Sequence, residues 1–421
     1  MNIFLSPLIN RYFIPDNHHM LQRRYDLDWL RIIVFMLLIF YHIGMVYTAN
    51  WGYHIKSSYQ SAFLANIMLL VEPWRMAVLW FISGVAIRYV LVKVSIWRYI
   101  SLRSLRLLLP LLFGILVVIP PQLFVEMTSN GDLNMSYQQF YLAFFNADST
   151  LFDNYQAGIW PHIDVNHLWY LRSLWQFSIA LLFLLPVLNS TWLTQIFQDL
   201  IESSTILTLL ILLMPIFLVQ LTTQGEITRE ILGFIFLIYG YLLGTNNRLW
   251  QGLAKKSTLL LISYLVCLFM MLVYYHLVVL DPDQKGHDIL QLFALFNYSL
   301  VKILGLFTLL TFAYKYLNHQ CKYLSTLNDS VYPMYILHQS IIVVSAYLLE
   351  PYCLGGLYEP LLLVLLTVSG CILGTEIIRR SVFLRPLFGM KLAKNYSVTL
   401  TFIGYGAAFV LVIPLAVEIL F

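Results

Sequence analysis

Charge is what this chain has least of. Only 11% of its 421 residues are Asp, Glu, Lys or Arg, where a soluble domain carries about 25%. That is too little to cover a water-facing surface, so a soluble globular protein, a nucleic-acid binder and a charged disordered chain are all excluded. Cysteine is scarce as well. Cys267, Cys321, Cys353 and Cys371 form no CxxC pair, so neither a disulfide framework nor a metal site is expected. The first 26 residues lack a sustained apolar core followed by a small-residue cleavage site, and read as a retained cytoplasmic arm.

What fills the space is hydrophobic. Apolar residues make up 60% of the chain and aromatic ones 16%, and the mean hydropathy is +0.76. A membrane-spanning helix needs about 20 mostly apolar residues. Eleven stretches qualify: 27–48, 69–92, 104–125, 168–188, 205–221, 229–245, 258–280, 290–314, 331–349, 359–378 and 398–420. The expected fold is an all-α, polytopic integral membrane helical bundle of 10 or 11 transmembrane helices. The main body covers 27–394 and the last helix, in 395–421, is additional. If that last span lay on the membrane, the count would be ten. With the N-terminus cytoplasmic, inner segments hold 17 Lys and Arg and outer segments hold 3, the asymmetry that orients membrane proteins. The longest gap, 126–167, then lies outside as an ordered loop with short helices. It has five acidic residues and no basic one. Its aromatics, among them Tyr137, Phe140, Phe144 and Trp160, suit either sugar stacking or an interfacial belt.

Ionisable groups inside spans are costly and default to functional candidates. Asp28 and Arg31 stand three apart in the first span, on one face, where they are able to pair. His42 lies eleven residues beyond Arg31, close to three whole turns and about 16 Å along the axis. It therefore shares the face of Arg31 in the outer half of the span. Arg75 lies near the outer end of the second span, and small Ser83 and Gly84 follow it. Arg103 and Arg106 share a face at the inner mouth of the third span, where guanidinium forks suit phosphate. The alternative for these two is plain anchoring at the inner surface. His167, Trp169 and Arg172 enter the fourth span, and His338 and Gln339 lie midway along the ninth with Tyr332 and Tyr335 before them.

Five segments stand in order: Asp28-Trp29-Leu30-Arg31 with His42; Phe81 to Gly84; Arg103 and Arg106; His167 to Leu171; and Ser330 to Gln339. Together they resemble the acyltransferase-3 family of integral membrane O-acyltransferases. Trp74 to Met76 and Glu376 to Lys391 resemble its branch of periplasmic glucan succinyltransferases, the glucan biosynthesis protein C group. Members of that branch usually have about ten spans, so 398–420 is a departure.

The resemblance implies transfer of an acyl group, succinyl or acetyl, from cytoplasmic acyl-CoA to a hydroxyl of a glycan outside a bacterial inner membrane. No metal takes part. Arg31, Arg103 and Arg106 would hold the acyl-CoA, and His167, Trp169 and Arg75 would shape the acceptor side. His42 would act as general base or brief acyl carrier, and His338 would orient the thioester or polarise its carbonyl. The implied partners are membrane lipid, acyl-CoA and the glycan, with no nucleic acid; a homo-oligomer is compatible with it. The other class open to buried Arg and His is a transporter or flippase. The chain lacks the symmetric Gly/Pro-interrupted segments that would favour it.

Overall fold

The computed structural model describes residues 23–146, 149–153, 155, 165–280, 288–381 and 383–390. The helices, in chain order, are α1 Tyr25–Tyr47, α2 Ala62–Leu91, α3 Ile96–Phe113, α4 Pro120–Ser129, α5 Tyr137–Phe144, α6 Trp169–Leu188, α7 Thr191–Ser203, α8 Thr205–Thr222, α9 Gly225–Leu243, α10 Asn247–Lys255, α11 Ser257–Tyr274, α12 Asp288–Tyr316, α13 Leu324–Leu349, α14 Gly355–Arg380 and the short α15 Leu384–Leu387. Among the described residues there is no strand beyond one isolated bridge, Thr48 to Ser61. The fold is an all-α polytopic bundle. Nine helical segments of the described residues are long and apolar enough to cross a membrane, and the α9–α10 pair, bent by 102°, makes ten if it is one span. The first ten expected spans each fall on one of these helices. The stretch 398–420 lies outside the described residues.

The third span is α3 and α4 joined through a π-helical turn, Gly114–Val118. A π turn widens the helix and exposes backbone carbonyls to other partners. Here the Val118 carbonyl accepts a 2.6 Å bond from the Ser340 hydroxyl, and the Leu168 side chain fills the space where a Cβ on Gly114 would sit.

The chain divides into two compact units. The first comprises Met1–Val34, Asn66–Ser95 and Phe177–Leu324. Its packing rests on small residues that let backbones approach, the usual device where lipid removes the hydrophobic drive between helices. A Cβ on Gly84 of α2 would run into the Leu237 carbonyl of α9, and one on Gly240 into the Phe81 carbonyl. The small pair Ser83-Gly84 thus marks a helix crossing. Arg24 donates to Asp26 at 2.5 Å and to the Gly244 carbonyl at 2.8 Å, with its guanidinium over the Trp250 and Tyr314 rings. Arg31 pairs with Asp28 at 3.6 Å, the partner its i,i+3 spacing indicated.

Arg75 also belongs to this unit. Glu72 lies one turn before it on the same face of α2. Glu72 accepts a 2.6 Å bond from Tyr298, and the Lys302 ammonium sits 4.1 Å from the centre of the Tyr298 ring. A counter-charge for Arg75 is therefore built into its own helix.

The second unit comprises Phe35–Ala65, Ile96–Gln176 and Ser325–Phe421. Its 126–167 stretch carries a small apolar core of its own. Phe140, Phe144 and Phe152 are buried together with Met127 and Leu133. Two of the aromatics considered for sugar stacking, Phe140 and Phe144, therefore face inward. Tyr137 and Phe145 remain exposed, with Tyr141 between them at 5.9 and 5.0 Å. Trp160 lies outside the described residues.

Candidate active site

Within the second unit, α13 organises the site through a three-residue rhythm that keeps side chains on one helical face. Tyr332 donates to the Arg106 carbonyl at 2.7 Å. Tyr335 donates to the His167 carbonyl. His338 meets His42, with Nε2 2.8 Å from His42 Nδ1. Gln339 reaches His54 Nε2 at 2.9 Å and Asn166 Oδ1 at 3.0 Å. The Ser330 to Gln339 segment is therefore a strip of polar contacts, each directed at a different neighbour.

The bonds around His338 fix the tautomers of neutral rings. His338 Nδ1 lies 2.6 Å from the Tyr335 carbonyl, which only accepts, so the proton is on Nδ1. Its Nε2 is then the acceptor, and His42 Nδ1 donates to it. A neutral His42 with its proton on Nδ1 carries its lone pair on Nε2. The two rings are nearly parallel, 5.0 Å apart and 23° inclined. His338 is wholly buried, while His42 is half-buried.

His167 joins the same group. Its ring stands edge-on to His338 at 5.4 Å. Nε2 donates to the Ile336 carbonyl at 3.0 Å, and Nδ1 accepts from Gln122 at 3.4 Å. Gln122 donates its second amide hydrogen to Ser340 at 2.6 Å. Asn166 takes a positive φ of 44°, which Asn tolerates better than most residues, and this bend starts the short turn presenting His167. Trp169 follows at the start of α6 and stands edge-on to Tyr170.

A fourth histidine comes from the 49–61 loop. His54 Nδ1 donates to Glu126 Oε2 of α4 at 2.5 Å. The loop is anchored through two adjacent residues. Lys56 donates to the Met45 carbonyl at 2.7 Å and also to that of Thr48, and Ser57 donates to the buried Glu359 of α14 at 2.7 Å. Tyr53, in the same loop, runs nearly parallel to the His42 ring, at 6.4 Å and 17°. Burial pushes its phenol above the ordinary value. Sequence reasoning missed His54 and Tyr53, and took Glu126 only as one acid of a loop. The partners are 72 and 285 residues apart, so no local spacing announces them.

Arg103 and Arg106 lie on α3 in this unit. Arg103 sits over the Tyr99 ring at 5.5 Å, and Arg106 is exposed. The α15 segment packs on α3. Gly389, at φ 66°, lets the backbone approach the Tyr332 ring, whose hydroxyl bonds Arg106. Arg379 donates to Ser330 at 2.6 Å. The segment after α14, with Arg385, is thus laid against α3, the helix of Arg103 and Arg106. Among the described residues, no group of three or more His, Cys, Asp and Glu is arranged to hold a metal ion. Of the sequence-assigned residues, His42, His338, His167, Trp169, Arg103 and Arg106 fall in this unit, and Arg31 and Arg75 in the other.

Known proteins supply the wider comparison. Glucans biosynthesis protein C of Escherichia coli strains K12 and SMS-3-5 is 26% identical to this chain over 157 residues, which is 36% of this chain and 36% of each relative. The protein of the same name from strain O6:K15:H31 is 26% identical over 153 residues. The match thus spans about a third of the length of these relatives. No solved structure matches. The family model described as an acyltransferase domain covers residues 24–377, and the chain belongs to this acyltransferase-3 family of multi-pass membrane acyltransferases.

Proposed function

We propose that this protein transfers an acyl group, succinyl or acetyl, from cytoplasmic acyl-CoA to a hydroxyl of a glycan outside a bacterial inner membrane. The observation that carries the reading is the chain from the Tyr335 carbonyl through His338 to His42, which places the lone pair on His42 Nε2. A sugar hydroxyl is a weak nucleophile at neutral pH and needs a positioned base. Imidazole is the side chain suited to that pH range. His42 takes the hydroxyl proton as the oxygen attacks the thioester carbonyl, then returns it to the departing CoA thiolate. His338 is a positioning residue in this scheme, because both of its nitrogens are already engaged. That differs from a direct role on the thioester.

The donor enters along Arg103 and Arg106, whose guanidinium groups suit the CoA phosphates. Arg31 adds charge on the face of α1 that carries His42. The acceptor reaches His42 past His167, Trp169 and the outer loop. A glucan fits because E. coli relatives bear the name glucans biosynthesis protein C.

The test is purified protein in vesicles with radiolabelled succinyl-CoA or acetyl-CoA and a glucan acceptor. Label appearing in glycan with wild-type protein, and not with His42→Ala, is the expected result. Label transfer that survives His42→Ala refutes the mechanism, and no transfer from either donor refutes the substrate reading.

A further inference from the structure

The histidine cluster holds many N–H and O–H groups, and nearly all are committed to protein acceptors. His338 Nδ1–H is given to the Tyr335 carbonyl, His167 Nε2–H to Ile336, His54 Nδ1–H to Glu126 and His42 Nδ1–H to His338. Both amide hydrogens of Gln122 and of Gln339 are used. The Tyr335 hydroxyl is bonded to the His167 carbonyl and the Ser340 hydroxyl to that of Val118. Acyl transfer at His42 needs one more donor, because the attacked carbonyl oxygen gains negative charge and must be hydrogen-bonded when it does.

Tyr53 supplies it. Its hydroxyl is buried and has no hydrogen-bond partner among the described residues, while its ring lies alongside that of His42. A buried hydroxyl left unsatisfied in a resting protein calls for an explanation, and catalysis is one of the few that fit. The 49–61 loop is closed by the Ser61 N–H bond to the Tyr47 carbonyl at 2.7 Å and anchored three and four residues after Tyr53 by Lys56 and Ser57, so the phenol is held in place before substrate arrives, as preorganised catalysis requires.

We propose that Tyr53 is the oxyanion donor of the acyl-transfer step. The inference deepens the reading of His42 as base and rests on it. The acceptor oxygen forms its bond to the acyl carbon as His42 Nε2 takes its proton. The carbonyl π pair moves onto oxygen, which Tyr53 O–H then hydrogen-bonds without giving up its proton. Collapse restores the carbonyl, breaks the C–S bond and releases CoA thiolate, which takes the proton from His42. No oxidant, metal or further reactant is needed.

The experiment is Tyr53→Phe, which removes one oxygen atom and keeps the ring. Two rates are read: glycan acylation, and the slower hydrolysis of the same acyl-CoA with water as acceptor, since both pass through the same oxyanion. The expected loss is about 10²–10³ in kcat for both reactions, the scale seen when one oxyanion donor is removed. KM is unchanged. Thermal stability is unchanged or raised, because an unsatisfied hydroxyl has been deleted. A merely structural tyrosine would lose stability, and the proposal is overturned by a fall in Tm accompanying the loss or by a kcat equal to wild type. A wild-type protein that turns over no acyl-CoA in either reaction overturns the acyl-transfer reading itself, an outcome distinct from an active wild type matched by an active variant.

Discussion

Replacing His338 separates the two histidines by magnitude and by chemistry. If His338 acts only through its bond to His42, His338→Ala removes one hydrogen bond of 2.8 Å, worth about 0.5–1.5 kcal/mol. With a tenfold change for every 1.4 kcal/mol or so, the direct cost to kcat is about 2- to 12-fold. Truncating a wholly buried side chain also lowers stability, so Tm is measured alongside. His338→Gln is the informative partner. Its amide oxygen reaches the position of Nε2 and accepts from His42 Nδ1–H, so it retains the lone pair on His42 Nε2 and recovers most of the lost rate. His42→Ala has no such remedy and loses about 10²–10⁴, the usual contribution of a general base. The assay is acyl transfer by detergent-purified protein at saturating acyl-CoA, with acyl-CoA binding followed separately. If His338→Gln is as inactive as His42→Ala, His338 touches the reacting atoms and the positioning argument is wrong.

Three other expectations follow from the charges. Arg103→Gln and Arg106→Gln each raise the KM for acyl-CoA with little change in kcat, since loss of one charge-assisted bond costs about 1.5–3 kcal/mol; unaltered acyl-CoA binding in both would leave them as topology anchors. Arg75→Ala impairs succinyl transfer more than acetyl transfer if it meets the anionic end of the donor, whereas equal impairment assigns it to the Glu72–Lys302 cluster of its own unit. A reporter fused near Lys394 reads cytoplasmic and one after Phe421 reads periplasmic; a cytoplasmic signal at both removes the eleventh crossing.

The spans were legible because hydropathy over 20 residues is set by the bilayer, whatever the helices do to one another. Ten of the expected stretches fall on observed helices for that reason. The Ser83-Gly84 crossing was legible too, since small side chains have one obvious use between helices. The partners were not. Glu72 beside Arg75 went unweighed although it is one turn away. Phe140 and Phe144 were read as surface aromatics, but a stretch of 126–167 that leaves the membrane must bury apolar surface of its own, and they form that core. The sequence marks His42 as a lone polar group in an apolar helix and His338 as one of a polar strip with Tyr332, Tyr335 and Gln339. That they touch depends on the packing of α1 against α13, which no spacing within either helix encodes.

The arrangement of these groups follows from where water is available. Inside apolar helices an unmet polar group costs several kcal/mol, so each histidine there has its N–H committed: His338 to the backbone of its own helix, His42 to His338 and His167 to Ile336. The same commitment that removes the cost also selects the tautomer, and it leaves the basic nitrogen on the outermost ring of the chain. The proposed oxyanion donor comes from the 49–61 loop, outside the apolar helices, where Tyr53 is held by its neighbours Lys56 and Ser57 while its own hydroxyl has no partner among the described residues. The proposed base and donor thus come from different kinds of backbone, a helix face fixed by membrane packing and a loop fixed by local hydrogen bonds. Substitutions that loosen the loop, such as Ser57→Ala, should therefore lower kcat without altering the His42–His338 pair. Measuring transfer beside acyl-CoA binding checks this, and an undiminished kcat in a Ser57→Ala protein would show that the loop need not be held for the chemistry.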